Sequence, residues 1–318
     1  MLPNYLILTP DGVGSTYLQR ALTVYLNSAN LDYWNTHELL NGLGFSQGNL
    51  CKEVDKKYSQ TIPEICGLLE TTTNNLVSRI AQYHITNRSK LKKEDYQTLY
   101  DVCNKKFDKI FYCIRDPFEY ALSWSIRHNT HTLNVFSVAD RIEVHGKYIK
   151  QKLNLEYFNR KLEQYKGYEY WAEDNFNITR AVNYDDNHSD ADAMMKELTG
   201  LNHSITDRFG ISLQDYSTIR YLVSMYMQTK DKQYLFDKHK APLAMHLKKF
   251  IQSMVPGRLP NEIPVKMNTL QDKQNRVLNF DEAVEVYNKW TTTTNNYAAI
   301  SQQDIAQRIE IESKIYAT

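Results

Sequence analysis

The chain has 318 residues and a formal net charge of +1, with 42% hydrophobic and 24% charged residues. These values are ordinary for a globular protein, and the near-neutral charge argues against a surface that coats nucleic acid. No apolar run approaches the roughly 18 residues that cross a bilayer. We therefore expect neither a nucleic-acid partner nor a membrane partner.

The cysteines and the N-terminal residues predict a compartment. The cysteines form no C-x-x-C pair and show no metal-ligand spacing: Cys51, Cys66, Cys103 and Cys113. Such thiols are most simply explained in a reduced intracellular protein. Because a strand pattern begins almost at once, we expect no signal peptide. The sequence thus predicts a soluble cytoplasmic or otherwise intracellular protein without a transmembrane anchor.

Short apolar runs alternate with helical patterns along the chain. Brief apolar runs predict strands, and apolar residues at intervals of three and four predict helices. The strands are predicted at residues 5–8, 31–36, 79–85, 109–114 and 176–184. The helices are predicted at residues 18–26, 62–69, 94–106, from 117 onward, and at 138–171, 190–199, 216–229, 238–254, 281–290 and 302–316. Loops are predicted at residues 42–48, 71–75, 256–264 and 291–296.

This alternation predicts an α/β fold with a mainly parallel sheet and helices on both faces. The run 109–114 is nearly all apolar or aromatic, as a central parallel strand should be. We predict one α/β domain over residues 1–270, with helical insertions at about 40–75 and 125–175. A helical C-terminal extension at residues 271–318 is expected to pack on it.

The stretch from Thr9 to Arg20 has a pattern suited to an anion. A predicted strand leads through a loop with two glycines into a helix, so that backbone N–H groups and the helix N-terminus can face a phosphate. Ser15 and Thr16 could add hydroxyl donors. A nucleoside-triphosphate loop of the Walker type would have Gly where Thr9 stands and Lys where Ser15 stands, so that version fails at two positions. An ordinary strand-turn-helix junction is the alternative reading.

A second corner follows the strand at 109–114. Arg115 stands at its carboxyl end, where ligands bind in open α/β sheets, and Ser123 follows eight residues later in the predicted helix. Arginine grips phosphate through its planar fork, and serine can donate a hydroxyl. The alternatives are that Arg115 pairs with Asp116 or a helix-end carbonyl, and that Ser123 only packs.

These two corners, and a third segment at residues 183–186 followed by a helix ending near 201, resemble the phosphate motifs of the sulfotransferase family. The resemblance implies a P-loop-like α/β fold around a parallel sheet and the donor 3′-phosphoadenosine 5′-phosphosulfate (PAPS). It also implies that the early loop binds the 5′ end, that Arg115 and Ser123 bind the 3′-phosphate, and that two tyrosines approach the adenine. The implied donor-binding residues are Gly12, Val13, Gly14, Ser15, Thr16, Tyr17, Arg115, Ser123 and Tyr184.

The resemblance further implies sulfuryl transfer to a hydroxyl acceptor of unidentified class, with a general base and no metal. His84 is the expected base, although Gln82 stands where the family has a lysine; His37 and Glu38 are rival bases. Gly12 stands where the family has Lys or Arg. The missing positive charge could come from another cation; the candidates are Arg20 and Lys266.

Two other functions remain open from the sequence. One is a non-catalytic sulfotransferase-like interaction or structural protein, which the substitution at Gly12 favours. The other is a nucleotide or small-molecule kinase with a degenerate phosphate loop, against which the missing loop lysine counts. Neither the acceptor nor the oligomeric state can be read from the residues.

Overall fold

The structure, a computed structural model, describes residues 2–10, 15–40, 61–82, 85, 93–130, 150–183, 191–205, 270–294 and 296–316. Its strands are β1 (Tyr5–Thr9), β2 (Tyr33–Glu38), β3 (Asn75–Ala81), β4 (Lys109–Ile114) and β5 (Arg180–Asn183). Its helices are α1 (Ser15–Ser28), α2 (Ile62–Thr71), α3 (Lys93–Lys106), α4 (Pro117–Thr130), α5 (Leu155–Asn175), α6 (Ala191–Thr199), α7 (Leu270–Arg276), α8 (Phe280–Thr294) and α9 (Gln302–Tyr316).

The five strands in this part of the chain form one sheet in the order β2-β3-β1-β4-β5, and every neighbouring pair is parallel. The predicted α/β class with a parallel sheet is therefore confirmed. In register, Tyr5 of β1 pairs with Val77 of β3 on one side and with Lys109 of β4 on the other. The carboxyl ends of these three strands consequently lie at the same edge of the sheet.

The connections that leave β1 and β4 run in opposite directions. The chain passes from β1 by way of α1 to β2 at one edge, whereas it passes from β4 by way of α4 and α5 to β5 at the other. In open α/β sheets, ligands bind outside the carboxyl ends of the strands at such a reversal. Here the reversal lies between β1 and β4, the two strands that precede the predicted phosphate corners.

Helices cover both faces of the sheet, which explains why the central strands β1 and β4 have apolar residues on both faces. Ile7 and Phe111 face a core built with α1, α4 and the C-terminal helices. Leu6 and Leu8, which alternate with Ile7 along β1, face a second core built with α2 and α3. No helix in the described residues is long and apolar enough to cross a membrane.

Several predicted boundaries are wrong. Strand β3 begins at Asn75, four residues before the prediction, because Asn75 already pairs with Tyr33 of β2. Strand β5 is shorter than predicted, since Phe176 still caps α5. Strand β2 begins two residues later than predicted. The predicted elements at residues 216–264 lie outside the described residues.

The threonine-rich stretch after Trp290 was also predicted wrongly, as a loop. It is the last turn of α8, because the Thr291 hydroxyl donates to the Asn288 carbonyl at 2.8 Å and the Thr292 hydroxyl donates to the Lys289 carbonyl at 2.7 Å. Threonine hydroxyls that bond to the preceding turn allow a β-branched run to remain helical. Helices α3, α6 and α9, by contrast, agree with their predicted bounds to within one residue.

An aromatic cluster joins the C-terminal helices to the α/β core. Phe118 of α4 is 0% exposed, and its ring centroid lies 5.8 Å from that of Phe158 in α5. The corresponding distances to Phe280 and Tyr287 of α8 are 5.6 and 5.4 Å. Edge-to-face rings at such distances stabilise the packing beyond their buried area.

We expect Phe118→Ala to lower the free energy of unfolding by about 3–5 kcal/mol, because it removes a buried ring shared by three helices. Urea unfolding followed by circular dichroism measures this loss. Tyr170→Ala is the control, since Tyr170 of α5 is 48% exposed and its removal should change stability by at most about 0.5 kcal/mol. Equal losses in both variants would contradict the packing described.

A carboxylate on α5 makes stability depend on pH. Glu169 accepts a hydrogen bond from the Tyr297 hydroxyl, and burial, reinforced by the charge of Glu173, raises its pKa from 4.5 to about 7. Between these values the folded chain holds the Glu169 proton and the unfolded chain does not. The stability contributed by Glu169 is therefore lost as the pH rises through this window.

We expect Glu169→Gln, which keeps an oxygen acceptor for Tyr297, to be more stable relative to the wild type at pH 8 than at pH 5. Urea unfolding at the two pH values gives the comparison. Glu163→Gln changes an exposed carboxylate of the same helix and serves as the control. If the difference in free energy of unfolding between Glu169→Gln and the wild type were the same at both pH values, the raised pKa of Glu169 would be contradicted.

Candidate functional site

The corner after β4 is held by its backbone and by the start of α4. The Arg115 N–H donates to the Tyr165 hydroxyl at 2.9 Å, and that hydroxyl donates to the Arg115 carbonyl at 2.7 Å. The Asp116 carboxylate accepts the Glu119 N–H at 3.0 Å, which caps the helix where Pro117 begins it. These contacts of the Arg-Asp-Pro sequence fix the backbone position from which the Arg115 side chain extends.

The structure brings Arg115 and Ser123 together. Arg115 is only 8% exposed, and its Nη1 donates to the Ser123 Oγ at 3.4 Å. The spacing of eight residues across the strand-to-helix junction therefore places both side chains at one point. This point lies at the carboxyl end of β4, the strand next to β1 in the sheet.

A buried carboxylate also contacts Arg115, and the sequence analysis did not name it. The Arg115 Nη2 lies 3.1 Å from the Glu119 Oε2, and the same oxygen accepts a hydrogen bond from the Lys273 ammonium of α7. Both Glu119 and Lys273 are buried. Asp116 forms an ion pair at 2.9 Å with Arg308 of α9.

Ion pairs join the corner after β4 to the C-terminal helices. Glu119 contacts Arg115 and Lys273, and Asp116 contacts Arg308. Burial raises the pKa of Asp116, while the charge of Arg308 opposes that rise. Charges act more strongly on one another when they are removed from water, so these pairs tie the corner to α7 and α9.

A second buried arginine lies at the corner after β1. Ser15, the first residue of α1, is buried, and its Oγ accepts a hydrogen bond from the Arg79 Nη1 at 3.2 Å. Arg79 is 4% exposed and stands on β3, the strand next to β1, opposite Ile7. Sequence reasoning missed Arg79 because it was read as the start of a strand. A charged residue inside an apolar strand was the available signal.

Arg79 also acts toward β4. Burial raises the pKa of the Cys113 thiol to about 12, and the positive charge of Arg79 opposes that rise. Cys113 belongs to β4, on the far side of β1 from Arg79, and stands two residues before Arg115. The guanidinium of Arg79 is thus close enough to β4 to influence a side chain beside the second corner.

The remaining predicted site residues are described in part or not at all. The residues Gly12, Val13, Gly14, His84, Tyr184 and Lys266 lie outside the described residues. The backbones of Thr16, Tyr17 and Arg20 belong to α1, but their side chains are not among those described. His37 and Glu38, expected after the second strand, are the last two residues of β2 itself.

Neither a metal site nor a relative identifies this region. Among the residues that the structure describes, no three His, Cys, Asp or Glu side chains lie together as metal ligands would. Comparison with protein-family models found no match, and comparison with curated proteins found none either. A functional assignment therefore depends on the geometry of the two corners and on the motifs at residues 9–20, 115–123 and 183–186.

We expect Glu119→Gln to destabilise the chain by about 3–5 kcal/mol, because Arg115 and Lys273 would lose the carboxylate that they share in the interior. Added sulfate should recover part of this loss by supplying an anion. Glu197→Gln is the matched control: Glu197 pairs with Arg180 at the surface, and such pairs contribute about 0–1 kcal/mol. Urea unfolding with and without sulfate tests this, and equal losses in the two variants would contradict it.

Proposed function

We propose that the chain binds PAPS at the carboxyl edge of its sheet and transfers the sulfuryl group to a hydroxyl acceptor. The observation that supports this proposal is the contact between Arg115 and Ser123 at 3.4 Å, at the carboxyl end of β4 where the connections from β1 and β4 diverge. An arginine fork and a hydroxyl at one point are suited to a phosphate. This is the pair that the sulfotransferase resemblance assigns to the 3′-phosphate.

The arrangement of the two corners also suits such a donor. PAPS carries anionic groups on the 3′ and 5′ positions of one ribose, so it needs two anion sites close together. Strands β1 and β4 are neighbours, about 4.8 Å apart, and each is followed at the same edge by a strand-to-helix corner with a buried arginine nearby. One nucleotide that lies across this edge could reach both corners.

Glu119 has a second cationic partner besides Arg115. The Glu119 Oε2 lies 3.1 Å from the Arg115 Nη2, and it also accepts a hydrogen bond from the Lys273 ammonium. Ser123 is half-buried rather than buried, and it offers a neutral donor next to the guanidinium. A 3′-phosphate at this point would bind Arg115 and Ser123 while Lys273 continues to neutralise Glu119.

The transfer itself needs few groups from the protein. The acceptor oxygen attacks sulfur, the bond between sulfur and the bridging oxygen of the 5′-phosphate breaks, and a general base takes the hydroxyl proton. The protein contributes in-line positioning and positive charge near the departing phosphate. His84 remains the proposed base on the motif alone. The acceptor is a hydroxyl compound of unassigned class.

One observation favours a second candidate, a sulfotransferase-like chain without catalysis. The buried contact between Arg115 and Glu119, extended by Lys273, also connects α4 to α7, so Arg115 has a structural use. Binding of adenosine 3′,5′-bisphosphate together with no release of this product from PAPS, over a broad panel of hydroxyl acceptors, would favour this candidate over the enzyme.

We expect isothermal titration to detect binding of adenosine 3′,5′-bisphosphate, and Ser123→Ala to weaken that binding by about 0.5–1.5 kcal/mol, roughly two- to tenfold. Ser125→Ala makes the same chemical change at a buried position two residues along α4 and should leave binding unchanged. Arg115→Ala should cost more, about 2–5 kcal/mol, because it removes a buried charged partner.

A folded wild-type chain that binds no bisphosphate at high micromolar concentration would overturn the proposed function. Equal weakening by Ser123→Ala and Ser125→Ala would also count against it, since the effect would then come from packing in α4 and not from a hydroxyl at the phosphate.

A further inference from the structure

The loop after β1 lacks the cation that its proposed role requires. Residues 10–14 read Pro-Asp-Gly-Val-Gly, so the loop contributes a carboxylate, Asp11, and no positive charge of its own. Negative charge develops on the 5′-phosphate as sulfur leaves it, and a positive group at that point lowers the barrier. A positive side chain from another element must therefore reach this corner if the site is to act.

Arg79 is positioned to do this. It stands on β3 on the same face of the sheet as α1, and its guanidinium reaches the first residue of α1, with Nη1 3.2 Å from the Ser15 Oγ. Ser15 follows the loop directly in sequence. Arg79 is only 4% exposed, so the field of its guanidinium is weakly screened by water there.

The two buried arginines belong to the strands on either side of β1. Arg79 stands on β3, and Arg115 directly follows β4. The influence of Arg79 on Cys113 indicates that its charge extends across β1 toward β4. A dianionic nucleotide that binds over the end of β1 would thus meet one guanidinium on each side.

We propose that Arg79 and Ser15 form the subsite for the 5′-phosphosulfate of the donor, with Arg79 supplying the positive charge that the loop lacks at Gly12. This inference rests on the proposed function, and it assigns separate partners to the two ends of the nucleotide. Arg115 and Ser123 bind the 3′-phosphate. Arg79 binds the 5′ anion through its planar fork, and Ser15 contributes a hydroxyl.

Binding at the two subsites can be distinguished with three nucleotides: adenosine 3′,5′-bisphosphate, adenosine 5′-monophosphate and adenosine 3′-monophosphate. We expect Arg79→Gln to weaken binding of the two ligands with a 5′-phosphate at least tenfold and to change binding of the 3′-monophosphate less than twofold. The affinity of Arg79→Lys for the ligands with a 5′-phosphate should lie between those of Arg79→Gln and the wild type, because lysine keeps the charge but loses the planar fork. Arg115→Lys should instead weaken binding of the ligands with a 3′-phosphate and leave the 5′-monophosphate nearly unchanged.

Ser15→Ala provides a second test with a much smaller change, so the inference does not depend on whether Arg79→Gln folds. The Ser15→Ala change should weaken binding of the 5′-monophosphate more than binding of the 3′-monophosphate. Thermal unfolding without ligand confirms that each compared variant is folded.

The outcomes distinguish this inference from the proposed function. A folded wild-type chain that binds no bisphosphate overturns both. A wild-type chain that binds the bisphosphate, combined with Arg79→Lys and Ser15→Ala variants that affect the 3′- and 5′-monophosphates equally or not at all, overturns the assignment of Arg79 alone.

Discussion

The buried carboxylate of Glu119 contacts both Arg115 and Lys273. This contact connects the end of the central strand β4, the first turn of α4 and the C-terminal helix α7. Breaking such a contact leaves an uncompensated charge in the interior, which is strongly unfavourable. Because Glu119 holds the guanidinium of Arg115 beside Ser123, the same contact that stabilises the packing also preorganises a point for an anion.

The parallel sheet determines the positions of the two corners, because the carboxyl ends of parallel strands lie at one edge of the sheet. Strands β1, β3 and β4 lie side by side and end at one edge, and the chain leaves β1 and β4 in opposite directions. Side chains that are distant in sequence, such as Arg79 and Ser15, are thereby brought into contact at that edge. The proposed binding of a nucleotide with two anionic groups rests on this edge, where a buried arginine lies near each corner.

Local patterns predicted much of the fold and only part of the site. Strand β4 and helix α9 have their predicted bounds, because an unbroken apolar run and a helical period are both local signals. The approach of Ser123 to Arg115 followed from spacing across one junction. Lys273 could not be predicted, since it reaches Glu119 across 154 residues with no local pattern. Arg79 was missed because its role depends on which strand lies beside β1, and strand order is a tertiary property.

A crystal structure of the chain with adenosine 3′,5′-bisphosphate would test the proposed donor site directly. We expect the nucleotide to lie across the carboxyl ends of β1 and β4, with its 3′-phosphate on Arg115 and Ser123 and its 5′-phosphate toward Arg79 and Ser15. A nucleotide bound elsewhere on the chain, or none at saturating concentration, would contradict it.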